Sequence, residues 1–313
     1  MWRAILKDRS FRVSILLTLI FFGTGIACLY AGVVYMSWTL FVLLPIVLGL
    51  SIGALPNRKW ANIAVIITTI FGLACLLFLG LSGFICIVMA LPIVLFFVFL
   101  GSALIHLTGR YREIADKRGI PFLLLPLIPF LIAAATEKTL VADHKQVVEV
   151  RTERVFDYSS MQVYDAIKSV DTLVAEKPFL MYLDLPIPTR CVLQKEEVGG
   201  IRTCYFKKGN FSNGEFGSGT ITEKITALQR GKLLKMDVTR YDLVGRKWLG
   251  FKEAIYYFDS LSDGRCELTR VTTYTSELSP RFYWEPIEKL SIRQEHDYVF
   301  NNLAKDLKER FGR

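Results

Sequence analysis

The spacing of apolar and charged positions splits the chain in two. No charged residue occurs between Arg12 and Arg58, nor between Lys59 and Arg110. A helix needs about 20 apolar residues to cross a bilayer, so each run predicts two crossings. The first pair is placed at about Val13–Tyr35 and Thr39–Leu55, with Pro45 bending the second and the turn Pro56-Asn57-Arg58-Lys59-Trp60 ending it. The second pair is placed at about Ala61–Leu81 and Phe84–Leu107, joined by a tight uncharged turn. A fifth apolar stretch, Ile120–Thr136, is 17 residues long and holds Pro121, Pro126 and Pro129. That is at the lower limit for a span of about 17 residues. Proline is tolerated at Pro121 in a first turn, whereas Pro126 and Pro129 would kink a helix. The segment either crosses or lies as a re-entrant or interfacial piece.

From Val147 the period changes. VVEVRTERVF alternates as a strand does. Ser159-Ser160 is a capping signal for a helix over about Met161–Val170, and a second short helix is expected near Thr172–Lys177. Six strands follow, near Thr189–Glu197, Arg202–Lys208, Gly217–Leu228, Lys232–Arg240, Trp248–Phe258 and Cys266–Ser276, separated by glycine-bearing turns. Leu234, Met236 and Val238 alternate with Lys235, Asp237 and Thr239, which marks one buried face. The chain closes on an amphipathic helix, Trp284–Phe311, with Ile292, His296, Phe300, Leu303, Leu307 and Phe311 on one side. These elements define residues 1–140 as an α-helical transmembrane bundle of four or five spans and 141–313 as an α+β domain, a curved antiparallel sheet around a long C-terminal helix.

Charge follows the same division. Residues 1–140 carry 11 Lys/Arg and 4 Asp/Glu, a net of +7, and the rest carry 27 and 25, a net of +2. The basic excess therefore belongs to membrane flanks, and nucleic acid is not an expected partner. The N-terminal tail (Arg3, Lys7, Arg9, Arg12), the turn with Arg58 and Lys59, and the loop with Arg110, Arg112, Lys117 and Arg118 alternate with uncharged turns. By the positive-inside rule the N-terminus and these loops are cytoplasmic. The C-terminal domain is then extracytoplasmic if Ile120–Thr136 crosses and cytoplasmic if it does not. A cleavable signal peptide is not expected, because the first apolar run leads into more apolar sequence and lacks an A-x-A-like site.

Among residues of the four long runs, His106 alone is ionisable, so an ion pathway lacks its usual groups. Gly49-x-x-x-Gly53 and Gly23-x-x-x-Ala27 serve helix packing within the chain or association with a second copy or a membrane protein partner. Cys28, Cys75 and Cys86 lie in apolar spans, and Cys191, Cys204 and Cys266 in the soluble half, where at most one bridge can form. The sequence contains no paired Cys/His metal set, no HExxH and no nucleophile elbow. No metal or cofactor is expected. The loop Lys207–Gly214 lacks the strand–helix context of a phosphate cradle and reads as a hairpin tip.

In the segments TERVFDYSSMQVYDAI, GSGTITEKITALQRGKLLKMDV and DGRCELTRVTTYTSELSPRFYW, and in the closing EKLSIRQEHDYVFNNLAKDLKER, the chain resembles the START-like, or SRPBCC, helix-grip superfamily in its polyketide cyclase/dehydrase-like branch. The resemblance covers roughly Val147–Arg310. It implies a mostly apolar cavity between sheet and terminal helix for a lipid-like or other hydrophobic molecule, with membrane lipids as its source. The residues expected to serve such a cavity are Met236, Arg270, Tyr274, Trp284, His296 and Phe300. His296, mid-helix on the inward face, is the candidate for acid/base work or ligand hydrogen bonding, set against a core histidine satisfied by neighbours. Arg270 is an anchor for an anionic head group or half of an Arg–carboxylate pair. Trp284 and Tyr283 form a gate, sit against the membrane or pack the helix terminus. Glu223, between Ile221 and Ile225, is either a carboxylate of raised pKa on an apolar face or exposed at its strand's edge, and exposure is expected. Three functions follow: a membrane-tethered binding or transfer module, a cyclase/dehydratase-like enzyme, or an interaction protein whose cavity has filled.

Overall fold

The computed structural model describes residues 7–80, 82–105, 119–140, 145–246 and 248–312. His106 and the basic loop from Arg110 to Arg118 lie outside these residues. The chain forms two units, one built from the apolar helices and the other from Lys145–Ser276 with the helix from Tyr283 onward.

In the helical unit, α1 (Arg9–Tyr30) starts at Asp8, whose carboxylate accepts from the Phe11 N–H and satisfies one of the orphan donors of the first turn. A π-helical turn, Thr39–Leu43, runs directly into α2 (Leu44–Gly53), and the π turn lies just ahead of Pro45, which has no N–H to give the preceding turn. α3 (Arg58–Phe78) and α4 (Phe84–Leu104) follow. The next segment is broken into α5 (Ile120–Leu123) and α6 (Leu127–Leu140), so Pro126 ends one helix instead of kinking a continuous one, and Pro129 falls in the first turn of α6.

Among the described residues four helical stretches are long and apolar enough to cross a membrane: Arg9–Tyr30, Arg58–Phe78, Phe84–Leu104 and Ile120–Glu137. The fifth apolar stretch therefore qualifies, while the expected span Thr39–Leu55 is helical only over Thr39–Gly53 and is shorter than the rest. This short helix is seated on α4 by backbone contact. A Cβ on Gly49 would lie 2.0 Å from the Val98 carbonyl oxygen, one on Gly53 2.7 Å from that of Ser102, and one on Gly101 2.2 Å from that of Ile46. The Gly49-x-x-x-Gly53 motif is thus used within the chain. Gly23 has no neighbour that a side chain would meet.

The C-terminal unit is a seven-stranded antiparallel sheet: β1 (Gln146–Phe156), β2 (Ile187–Leu193), β3 (Ile201–Lys207), β4 (Gly219–Gln229), β5 (Leu233–Leu243), β6 (Leu249–Ser260) and β7 (Cys266–Ser276), in the order β1-β7-β6-β5-β4-β3-β2. Helix α7 (Ser160–Ile167) and the short α8 (Phe179–Leu183) connect the two edge strands. Ser159 and Gln162 form a reciprocal capping box that starts α7. No helix forms at Thr172–Lys177. The second short helix begins after Pro178, which supplies the extended residue before its first turn. The closing helix α9 (Arg281–Phe311) lays Phe300, Leu303 and Leu307 against Met236, Tyr256, Phe258 and Leu268, and Ile292 against Val148, Val150 and Tyr274. Register shifts at Pro188/Arg190, Thr222/Glu223, Ile225/Ala227 and Phe251/Glu253 insert bulges that curl the sheet round this helix. The result is an α-helical membrane-type unit followed by a helix-grip α+β unit.

Candidate functional site

Inward residues of β2–β7, of α7 and the connection after it, and one turn of α9 line a cavity of about 80 Å³. Most of its wall is aliphatic or aromatic, including Ile167, Val170, Leu173, Phe206, Ile221, Val238, Phe251 and Val299. Pairing register places the polar remainder. Arg202 on β3 stands directly across from Glu223 on β4, and Arg270 on β7 across from Tyr256 on β6. Arg202 Nε donates to Glu223 Oε2 at 2.6 Å, and its Nη2 lies 3.4 Å from the Tyr256 hydroxyl. Arg270 forms an end-on fork with Glu295 of α9, 3.2 Å from Nη1 to Oε1 and 3.0 Å from Nη2 to Oε2. Both guanidinium carbons stand over the Tyr256 ring, at 5.4 and 5.6 Å. Two cations and two of the three lining carboxylates thus pair in one site, the third, Glu253, pairing with Lys235.

Burial works against both arginine charges, but Glu223 beside Arg202 and Glu295 beside Arg270 outweigh it and hold each pKa above the ordinary guanidinium value. The fork to Glu295 uses Nη1 and Nη2 of Arg270, and its Nε–H is buried without an acceptor among the described residues. A disulfide between Cys191 and Cys204, directly opposed on β2 and β3, forms another part of the wall. It is the one bridge that three soluble-half cysteines allow, and Cys266 stays free and buried.

Of the six residues expected to serve the cavity, only Arg270 lines it. Its alternative as half of an Arg–carboxylate pair is the geometry found. His296 is fully buried one layer behind the wall. Its Nε2 lies 2.8 Å from the Thr272 hydroxyl and its Nδ1 2.9 Å from that of Thr152. Thr272 is on the wall, so His296 reaches the cavity through that hydroxyl. Burial first, and then the Arg270 charge, lowers the imidazole pKa well below 6.5 and keeps the ring neutral. Met236 and Phe300 pack in the main core, and Tyr274 in a smaller cluster, its hydroxyl donating to Glu288 at 3.1 Å. Trp284 is buried edge-on to Tyr283, their centroids 5.1 Å apart. Glu223 is not exposed at an edge: β4 is an inner strand, and the side chain pairs with Arg202.

Sequence reasoning missed Arg202, Tyr256, Thr272 and Glu295. A weak signal existed for Arg202, which falls in phase with Cys204 and Phe206 on an otherwise inward-facing strand. Its partnership with Glu223 needs the register, which the sequence does not print. No cluster of His, Cys, Asp and Glu suited to a metal occurs among the described residues.

No protein-family model matches the sequence. No curated protein sequence matches it either. Solved structures similar to it cover about half of this chain and nearly all of their own. Protein CV1439 from Chromobacterium violaceum is 17% identical over 51% of this chain and 96% of its own, with a TM-score of 0.36. An aromatase/cyclase from a Streptomyces species is 12% identical over 52% and 96%, TM-score 0.36. A norcoclaurine synthase from Thalictrum flavum is 12% identical over 53% and 97%, TM-score 0.35. At these values the fold assignment rests on strand order, register and the closing helix described above.

Proposed function

We propose that the C-terminal unit is a receptor for an amphipathic small molecule, tethered by the helical unit so that exchange with membrane lipid is short-range. The observation that carries the reading is the Arg270 Nε–H, a buried donor on the wall of a mostly apolar cavity, left without a protein acceptor. Buried ion pairs are weak contributors to stability, and hydrophobic replacements are often as stable. Two such pairs round one cavity are economical if they orient the polar end of a ligand while aliphatic walls take the rest.

The volume sets a limit. Pockets for drug-sized ligands run to about 300–1,000 Å³, so the 80 Å³ cavity takes a group of a few heavy atoms unless its wall moves. That volume also favours a second reading, a filled core whose unit works through its surface. An acid/base role for His296 is disfavoured, because both ring nitrogens are engaged by threonines and the ring does not meet the cavity directly.

The full chain purified in mild detergent, examined by native mass spectrometry and organic extraction, tests the receptor reading. A stoichiometric small molecule, lost in Arg270→Leu, is the expected result. Clean masses for both proteins after exposure to a total lipid extract would overturn it and leave the filled-core reading.

For sidedness we propose five crossings, with α2 completing the second and the C-terminal unit extracytoplasmic. The alternation of basic loops favours a crossing by α2, the fifth crossing rests on the length and apolar character of Ile120–Glu137, and the Cys191–Cys204 disulfide fits an oxidising compartment. Reporter fusions at residue 144 test it: activity of a cytoplasmic reporter alone would exclude five crossings.

A further inference from the structure

Among the described residues a second buried group in the C-terminal unit has N–H donors without an acceptor and takes no part in the cavity. Arg246, in the connection between β5 and β6, is only 5% exposed. Among the described residues no carboxylate forms an ion pair with it, and its Nε and Nη2 have no hydrogen-bond acceptor. These two N–H groups lie in the guanidinium plane along one edge and run parallel, which is the side-on fork that matches two oxygens of a phosphate or carboxylate. The guanidinium carbon stands 5.6 Å from the centroid of the Phe216 ring. Gly217, at φ +86°, keeps a side chain off the fork, since a Cβ there would lie 3.7 Å from Nε.

Tyr241 adds a third donor. It lies next to Phe251, with ring centroids 5.8 Å apart, and its hydroxyl is buried without a partner among the described residues. Burial pushes the phenol up to about 12, while the Arg246 charge acts on it in the opposite direction. The phenol is therefore a donor at neutral pH. The strands around this place are unzipped: β5 pairs with β6 only from Leu233↔Tyr257 to Asp237↔Glu253, although β5 continues to Leu243 and β6 begins at Leu249. A buried cation without a counter-ion is strongly unfavourable. Tyr241, on the strand that leads into the same connection, is an unused neutral donor, and this is the one hairpin that opens toward its loop among those joining β3 to β7.

We propose that Arg246 and Tyr241 form an oxyanion site for a phosphate group, separate from the Arg202/Arg270 cavity. The side-on fork takes two phosphate oxygens and the Tyr241 hydroxyl a third. The same chemistry is offered by inorganic phosphate and by the head group of an anionic phospholipid, so the probes must separate the two.

The test uses the full chain in nonionic detergent and oxyanion-free buffer. Inorganic phosphate is titrated calorimetrically, and binding to vesicles of phosphatidylcholine with 20% phosphatidic acid is compared with binding to phosphatidylcholine alone, roughly at physiological ionic strength. The wild type is expected to bind at least one of the two probes. Arg246→Gln should weaken that binding at least tenfold, Tyr241→Phe less, and Arg246→Lys, which keeps the charge but loses the fork, should be intermediate. Phosphate binding identifies a free-anion site, and vesicle binding alone identifies a head-group site; either supports the proposal. Equal binding by wild type and Arg246→Gln, or no binding of either probe, overturns it. Thermal stability gives an independent readout. Without oxyanion Arg246→Gln should melt at or above the wild type, because it removes an unpaired buried charge, and with a bound probe the order should reverse. A variant that melts lower in the absence of oxyanion would mean that Arg246 is already satisfied, and the site would fall.

Discussion

Arg202 and Glu223 face each other across β3 and β4, 2.6 Å apart and each more than nine-tenths buried, in the middle of a cavity wall. Removing one partner leaves the other charged and dry. Glu223→Gln or Arg202→Met should each destabilise the unit by about 3–5 kcal/mol, whereas Arg202→Met/Glu223→Leu together should come within about 1 kcal/mol of the wild type or exceed it. Chemical denaturation followed at the tryptophans measures this. Additive losses in the double variant would show that the two charges do not act as a pair.

His296 makes stability depend on pH. In the unfolded chain its pKa is near 6.5; in the folded chain burial and the Arg270 charge hold it well below that value. Below about pH 6.5 the unfolded imidazole takes up a proton that the folded one refuses. The stability that the neutral ring contributes is therefore complete above that pH. It is lost on acidification at up to about 1.4 kcal/mol per pH unit, until the folded ring protonates too. His296→Gln should flatten this part of the profile relative to the wild type. Superimposable slopes between pH 5 and 6.5 would exclude His296 as the titrating group.

The disulfide should matter to the C-terminal unit. Cys191 and Cys204 are separated by 13 residues, a loop for which chain entropy gives about 3 kcal/mol. Cys191→Ser/Cys204→Ser is expected to lose about 2–3 kcal/mol and to become insensitive to reductant. Cys266→Ser, which breaks no bridge, should keep the reductant sensitivity of the wild type.

In the helical unit the contact between α2 and α4 admits no side chain. Gly49→Leu or Gly101→Leu should lower the melting temperature and the yield of folded protein in detergent. Gly23→Leu, at a position where an added Cβ meets nothing within 4 Å among the described residues, should leave both unchanged. Size-exclusion with thermal challenge distinguishes them, and equal behaviour of Gly101→Leu and Gly23→Leu would refute the packing role.

Much of the architecture is carried by periodicity. Apolar runs without charge can only be satisfied in lipid or a helical core. Strict alternation in LLKMDV selects a half-buried strand, and the Ser159 and Gln162 signals start a helix where the capping box forms. The C-terminal bounds also follow, with Cys266–Ser276 appearing as expected because Gly264 and Pro280 punctuate both sides. The less legible places are those where two local signals compete. Thr172–Lys177 carries helical spacing, yet the backbone N–H groups of Val174 and Ala175 are taken by the Asn302 side chain from α9, and the helix forms after Pro178 instead.

The sequence by itself determined the two-part organisation, the strand-rich domain closed by a long amphipathic helix, and the inward phase of Met236, His296 and Phe300. Tertiary structure alone decided which inward residues meet a cavity and which fill the core. That choice depends on strand register and on the turn of α9 that faces it, both set by contacts between residues far apart in the chain. Glu223 illustrates the reason: alternation places it on the apolar face, but only the register brings Arg202 opposite, and only that partner makes a buried carboxylate tenable.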